Sequence, residues 1–107
     1  MKIVRRISGI LLCTIAIASA CAEQRAAGVY KTNCAPCHGA AGDANTPAGK
    51  AFKVPSFSSE DVLKEPDANL MAIAKEGKGK MPAWHDKLSE DQLKDLIAFI
   101  HTLQKKP

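Results

Sequence analysis

Cys34, Cys37 and His38 lie in one pentapeptide, Cys34-Ala35-Pro36-Cys37-His38. Two thiols separated by two residues and followed at once by an imidazole form the pattern of covalent c-type haem attachment. The spacing has a mechanical reason: each thiol forms a thioether with one of the two vinyl groups on one porphyrin edge. His38, next in the chain, then rises beneath the iron as an axial ligand. Three other chemistries use the same residue types. A thioredoxin-like dithiol belongs near a βαβ pattern, which this chain lacks. A zinc site would need Cys34, Cys37 and two of His38, His85 and His101, but no second ligand pair has finger-like spacing. A disulfide between Cys34 and Cys37 closes too small a loop to brace a domain. The spacing favours haem, attached once, through Cys34 and Cys37.

The start of the chain supports this. Basic Lys2, Arg5 and Arg6 precede an apolar run from Ile7 to Ala18 that ends in small residues, the layout of a secretory signal peptide. Ile7 to Ala22 is 16 residues, short of the roughly 20 that cross a bilayer. Ala18-Ser19-Ala20 and Ala20-Cys21-Ala22 both fit a small-x-small cleavage site. Cys21 also resembles the cysteine of a weak lipobox, with Ala18 where leucine is usual. Soluble export is favoured, and a lipid anchor through Cys21 is the alternative. The expected division is a signal peptide over residues 1–22, removed, and one domain over residues 23–107. Haem of this kind is attached outside the bacterial cytoplasm, so leader and motif support each other and point to the periplasm.

What remains after Ala22 is 85 of the 107 residues. So short a chain seldom stabilises itself by apolar burial alone and usually recruits a disulfide, metal or cofactor. Of the four cysteines, Cys13 lies in the leader and Cys21 is removed or lipidated, which leaves Cys34 and Cys37. Removing Lys2, Arg5 and Arg6 from 15 cationic side chains leaves 12 against 11 acidic ones. The lysines are scattered among acids, without a basic stripe or interleaved aromatics, which argues against nucleic acid as a partner.

The elements that must position the motif can be read in turn. Ala26, Ala27, Val29 and Tyr30 give an apolar side to a short helix over residues 23–33 that delivers Cys34. The Gly, Ala, Asn and Pro content of residues 39–55 predicts a loop without periodicity. Ser58 is expected to cap a short helix from Glu60 to Lys64, with Asp61 reciprocating and Pro66 ending it. Asp67 or Asn69 starts a further helix in which Leu70, Ile73 and Ala74 share a face. Gly77 and Gly79 close it and open a flexible approach to Met81-Pro82. The last helix has the clearest signature: Ser89 and Gln92 form a capping box, and Leu93, Leu96, Ile97, Ile100 and Leu103 recur at helical spacing. Lys105 and Lys106 suit its negative end. No strand alternation, internal repeat or second domain is visible.

Cys34-Ala35-Pro36-Cys37-His38, then Met81-Pro82-Ala83-Trp84, then Asp95-Leu96-Ile97-Ala98-Phe99-Ile100 together resemble, in order, the three landmarks of class I c-type cytochromes. The resemblance implies an all-α fold of three to four helices around one covalently bound haem. It also implies that the first and last helices cross near Ala26 and Tyr30 on one side and Leu96 and Phe99 on the other. His38 and Met81 are the implied iron ligands. Met81 precedes Pro82, which favours an extended conformation, whereas Met71, inside a helix beside Leu70, suits core filling. A ligating histidine usually donates its other ring N–H to an acceptor. In the family this is a proline carbonyl in a Pro-x-apolar stretch, and Val54-Pro55-Ser56-Phe57 resembles it; Pro47 is the rival. Trp84 is a candidate to donate its indole N–H to a haem propionate, with core packing the alternative. His85, in a polar turn, and His101, off the apolar stripe with Lys94 and Lys105, are expected to be solvated rather than ligands.

The implied function is one-electron carriage by a monomer, without catalysis, between redox protein partners, a periplasmic or membrane-bound donor and acceptor. Lys50, Lys53, Lys75, Lys78 and Lys80 are candidates for a cationic collar that steers acidic partners. Two other functions remain open: a haem sensor or peroxidase-like enzyme with an open coordination position, and a dedicated redox subunit of one larger enzyme.

Overall fold

The computed structural model describes residues 2–105, with side chains from Ile17 onward. The leader cations Lys2, Arg5 and Arg6 and the thiol of Cys13 lie outside the described side chains, and Lys106 lies outside the described residues. Six helices follow one another: α1 (Lys2–Asn33), α2 (Ala35–His38), α3 (Pro47–Ala51), α4 (Glu60–Leu63), α5 (Asp67–Glu76) and α6 (Glu90–Leu103). Three are long, as expected for the all-α fold, and the other three are about one turn each. Among the described residues the nearest approach to a strand is an isolated bridge between Lys78 and Met81.

The short first helix expected from residue 23 is instead the end of a helix that begins at Lys2. No proline interrupts residues 2–33, and the run is rich in Ala, Ile and Leu, so helical propensity carries through. Among the described residues no helix is long and apolar enough to cross a membrane.

α6 packs on α1 and α5. Its Ser89 hydroxyl accepts from the Gln92 N–H at 3.1 Å, and the Gln92 side chain accepts from the Ser89 N–H at 2.9 Å. The box therefore satisfies two donors that a helix start otherwise leaves open. Its stripe buries Leu93, Leu96 and Ile97. Against it α1 buries Ala26 and Tyr30, and the Tyr30 and Phe99 rings meet at 5.3 Å. This is the expected crossing: the small Ala26 lets the helices approach while the aromatic pair fills the flank. Met71 packs against the same core cluster.

Two local expectations fail. Residues 39–55 are not simply a loop, because α3 forms there with Thr46 as N-cap and Pro47 in the first turn, a start signature that composition obscured. Ser59, not Ser58, occupies the N-cap of α4 and makes no side-chain cap bond. The Ser56 hydroxyl accepts from the Ser58 N–H at 3.1 Å, a local turn that delays helix entry by one residue. The freed Ser58 hydroxyl accepts from the Lys105 N–H at 2.8 Å.

Candidate haem site

The pentapeptide becomes a helical turn. The N–H groups of His38 and Gly39 reach the carbonyls of Cys34 and Ala35 at 2.9 and 2.8 Å, so consecutive carbonyls are used and both thiols and the imidazole are held on α2. The turn is braced from outside by three bonds. Tyr30, 2% exposed, donates its hydroxyl to the Gly39 carbonyl at 2.6 Å. Thr46 donates to the Cys37 carbonyl at 2.9 Å while accepting from the Gly49 N–H at 2.8 Å. The Ala44 N–H donates to the His38 carbonyl at 2.7 Å. Gly49 closes this brace: a Cβ there would lie 2.6 Å from the Cys37 carbonyl oxygen and closer still to that of Ala44. Thr46 and Gly49 were missed by sequence reading, although Thr46-Pro47 carried the signal of a helix start.

Cys34 and Cys37 are free thiols. Burial pushes Cys34 up to about 11, with Cys37 adding to the effect. A redox dithiol needs the opposite, a lowered thiolate, so the environment opposes the thioredoxin-like reading. Burial also lowers the pKa of His38, which keeps the imidazole in the neutral form that ligates metal. Its Nδ1 is buried without a hydrogen-bond partner.

Both thiols, His38 and Met81 line one cavity of about 510 Å³, within the size range of cofactor sites. Pro55 and Trp84 line it too. The expected bond from His38 Nδ1 to the Pro55 carbonyl is not made, and neither is one to Pro47. What the Pro55 segment presents to the ring is Phe57, stacked on His38 at 4.6 Å and 15°. Trp84 packs against the core cluster, with Lys87 Nζ 5.2 Å from its ring centroid. His85 pairs with Asp86 at 2.9 Å. Among the described residues no group of three His, Cys, Asp or Glu side chains is gathered as a metal site.

The approach to Met81 is pinned rather than flexible. Lys78 and Met81 exchange backbone bonds at 3.1 and 2.9 Å, and the N–H groups of Trp84 and His85 donate to the carbonyls of Ala74 and Lys75. Residues 78–85 thus satisfy carbonyls that the end of α5 leaves open. Gly77 allows the crossing: its φ is +77°, and a Cβ would sit 2.5 Å from the Met81 carbonyl oxygen. Of the five collar lysines, Lys53, Lys78 and Lys80 line the cavity, whereas Lys75 turns to Glu90 at 4.0 Å.

The residues present fit a covalently held haem. Two thiols, an imidazole and a thioether are the donor set that c-type attachment and ligation use. They surround an apolar cavity, and the buried Nδ1 of His38 lacks a partner.

Comparison with known proteins agrees. The family model described as "Cytochrome C oxidase, cbb3-type, subunit III" matches residues 22–100. The chain is 35% identical over 79 residues to a cytochrome c6 of Bryopsis maxima, covering 69% of this chain and 83% of that one. It is 31% identical to the cbb3-type cytochrome c oxidase subunit CcoP of Azospirillum brasilense over 78% of this chain, but spans only 29% of that subunit. A solved structure, the KustC0563 c-type cytochrome, superposes with a TM-score of 0.68 at 23% identity, covering 74% of this chain and 96% of that one, a likeness of fold alone. Membership implies haem c as the cofactor. The chain is a small class I c-type cytochrome, belonging to the family described as cytochrome c oxidase, cbb3-type, subunit III.

Proposed function

We propose that this protein is an exported one-electron carrier, with a single haem c joined to Cys34 and Cys37 and its iron held by His38 and Met81. The observation that carries the reading is the one cavity that both thiols, His38 and Met81 share. When bound, the haem supplies a ferric/ferrous couple, and the protein supplies ligands, orientation and dielectric. His38 offers a neutral imidazole from a turn braced on three sides. Met81 offers a soft thioether, which raises the potential relative to harder ligands. Trp84, Leu70, Ile73 and Ile97 exclude water with apolar surface. With His38 and Met81 both ligating its iron, a haem held here would pass electrons without opening to small molecules. Lys53, Lys78 and Lys80 line the cavity, and Phe52 beside them is 50% exposed. Together they offer a cationic, partly apolar rim to an acidic redox partner.

The working form is residues 23–107, a periplasmic monomer without a membrane span. Cys21 is exposed, and lipidation there is the alternative form. Intact mass and a visible spectrum of the exported protein report haem attachment, cleavage and lipidation together. A second reading, a redox module serving one oxidase, draws support from the oxidase-subunit relatives; co-purification with a larger enzyme would favour it.

Met81→Ala tests the central claim. It should abolish the red-region charge-transfer band of Met-ligated ferric haem and open the iron to carbon monoxide and cyanide. The potential should fall by on the order of 0.1 V or more, given the range axial ligands span. A parent protein that lacks the band and binds carbon monoxide readily would instead be a sensor or peroxidase-like enzyme.

A further inference from the structure

Past the end of α6, Gln104 directs its side-chain nitrogen Nε2 at the Phe57 carbonyl oxygen, 3.1 Å away. A carbonyl only accepts, so the amide NH₂ must face it, and this fixes the sense of the amide. The amide oxygen Oε1 then faces Nδ1 of His101 at 2.7 Å. That oxygen also only accepts, so Nδ1 must carry a proton. The other ring nitrogen, Nε2, lies 2.7 Å from Asp67 Oδ1 at the start of α5, and an ionised carboxylate is again acceptor-only. Both ring nitrogens of His101 therefore donate, which is the imidazolium and not either neutral tautomer.

The groups around the ring include charges of both signs. From α5, Asp67 faces it directly. From the segment before α4, neutral groups reach it by way of Gln104: the Phe57 carbonyl and, beside it, the Ser58 hydroxyl. On its own helix Lys94 lies two turns earlier, 4.0 Å from Glu90, and Lys105 follows four residues later. The negative end of α6 favours a cation at this position. The His101 side chain is 41% exposed, so water screens its pairing with Asp67.

This bridge ends on the backbone of Phe57, the residue whose ring stacks on His38. Phe57 is held at both backbone groups, its N–H by the Gly42 carbonyl at 2.8 Å and its carbonyl by Gln104. Its ring sits so close to Gly42 that a Cβ there would lie 2.7 Å away. We propose that His101 and Gln104 are positioning residues for His38, acting through Phe57, and that the imidazolium of His101 makes the redox potential depend on pH. The proposal rests on the reading above that His38 ligates the iron. Loss of the His101 proton removes a positive charge from the His38 side of the site, which favours ferric over ferrous iron, so the potential falls as pH rises.

The test uses the intact holoprotein. Nitrogen-detected NMR of the ferrous form should find both His101 ring nitrogens protonated at pH 6.5 and one of those protons lost as pH rises. Potentiometry against pH should find a downward step that follows this titration. In Asp67→Asn the titration and the step should move together to lower pH, and in His101→Gln the step should vanish while the low-spin spectrum persists. A singly protonated His101 at pH 6.5, or the same profile in parent and His101→Gln, would overturn the proposal with the ligand reading intact. A ferrous spectrum without six-coordinate low-spin bands would overturn both together.

Discussion

The two sides of α6 are built differently. Towards α1 it meets a closed seam, where Ala26, Tyr30 and Leu96 are buried and the Tyr30 and Phe99 rings touch. Towards α5 it meets a cavity: α5 buries none of its residues, and its apolar Leu70, Ile73 and Ala74 line that cavity beside Leu93 and Ile97. One half holds itself together by helix packing, capping and aromatic contact. The other frames the cavity, with Met71 and Ala74 of α5 packed against the core cluster and Leu70 and Ile73 lining the cavity. Apolar side chains that line a cavity gain burial and dispersion contact when a largely apolar group fills it, so the lining of the second half suits a bound cofactor. The pentapeptide sits at the junction, on a turn fastened to the packed half through Tyr30 and opening its thiols onto the hollow half.

The largest test of this contrast removes the tether. Cys34→Ala/Cys37→Ala should yield almost no holoprotein, and because so short a chain cannot build this core alone, the cooperative melt should be lost. Amide exchange would sharpen the comparison, with α5 exchanging far faster than the α1/α6 seam. A double variant with native helicity and a cooperative melt in the absence of haem would mean that the hollow half stands unaided.

Next in size is Leu93, which is 1% exposed and borders both halves. Leu93→Ala should destabilise the holoprotein by about 2–5 kcal/mol, the range for deleting a buried leucine that the surroundings cannot refill. Chemical denaturation should register the whole loss as a lower midpoint. A loss below about 1 kcal/mol would indicate that the two halves do not share a wall at α6.

The smallest test addresses the fastening between the halves. Tyr30→Phe leaves the buried Gly39 carbonyl without its donor and should cost about 1–3 kcal/mol. It also has a pH signature, since burial, with Cys34 and Asp43 adding to it, pushes Tyr30 up to about 12 from 10.0. Its folded pKa is raised, so its contribution is complete below pH 10 and is lost as pH climbs towards 12, where the unfolded chain releases the proton first. The parent should lose stability across that interval, and the Phe variant should lack this part of the slope. Parallel curves for the two proteins would show that Tyr30 does not carry the fastening.

Sequence patterns were reliable where the interacting groups are neighbours in the chain. Ser89 and Gln92 are three residues apart, and their capping box forms as written. Leu93, Leu96 and Ile97 follow helical spacing and are buried together. The Cys34-Ala35-Pro36-Cys37-His38 motif specifies its cofactor because covalent attachment needs only two thiols and an imidazole at fixed chain separation. Reading by composition was less successful in residues 39–55, where small residues suggested a loop although Thr46-Pro47 starts a helix that braces Cys37.

The chemistry of the pentapeptide and the predominance of helix therefore follow from short-range spacing, whereas the crossing of the outer helices was implied by the resemblance to class I c-type cytochromes. Only the tertiary structure decided which distant groups meet: that Phe57 rather than the Pro55 carbonyl reaches the His38 ring, that Lys75 leaves the collar for Glu90, that the Met81 segment is fastened to the end of α5, and that His101 is gripped by Asp67 and Gln104. These contacts join residues up to 34 positions apart. Whether they form depends on the relative placement of whole elements, and many arrangements of those elements satisfy the same local pattern. Packing selects one of them, and with it the hydrogen-bond partners available to each side chain.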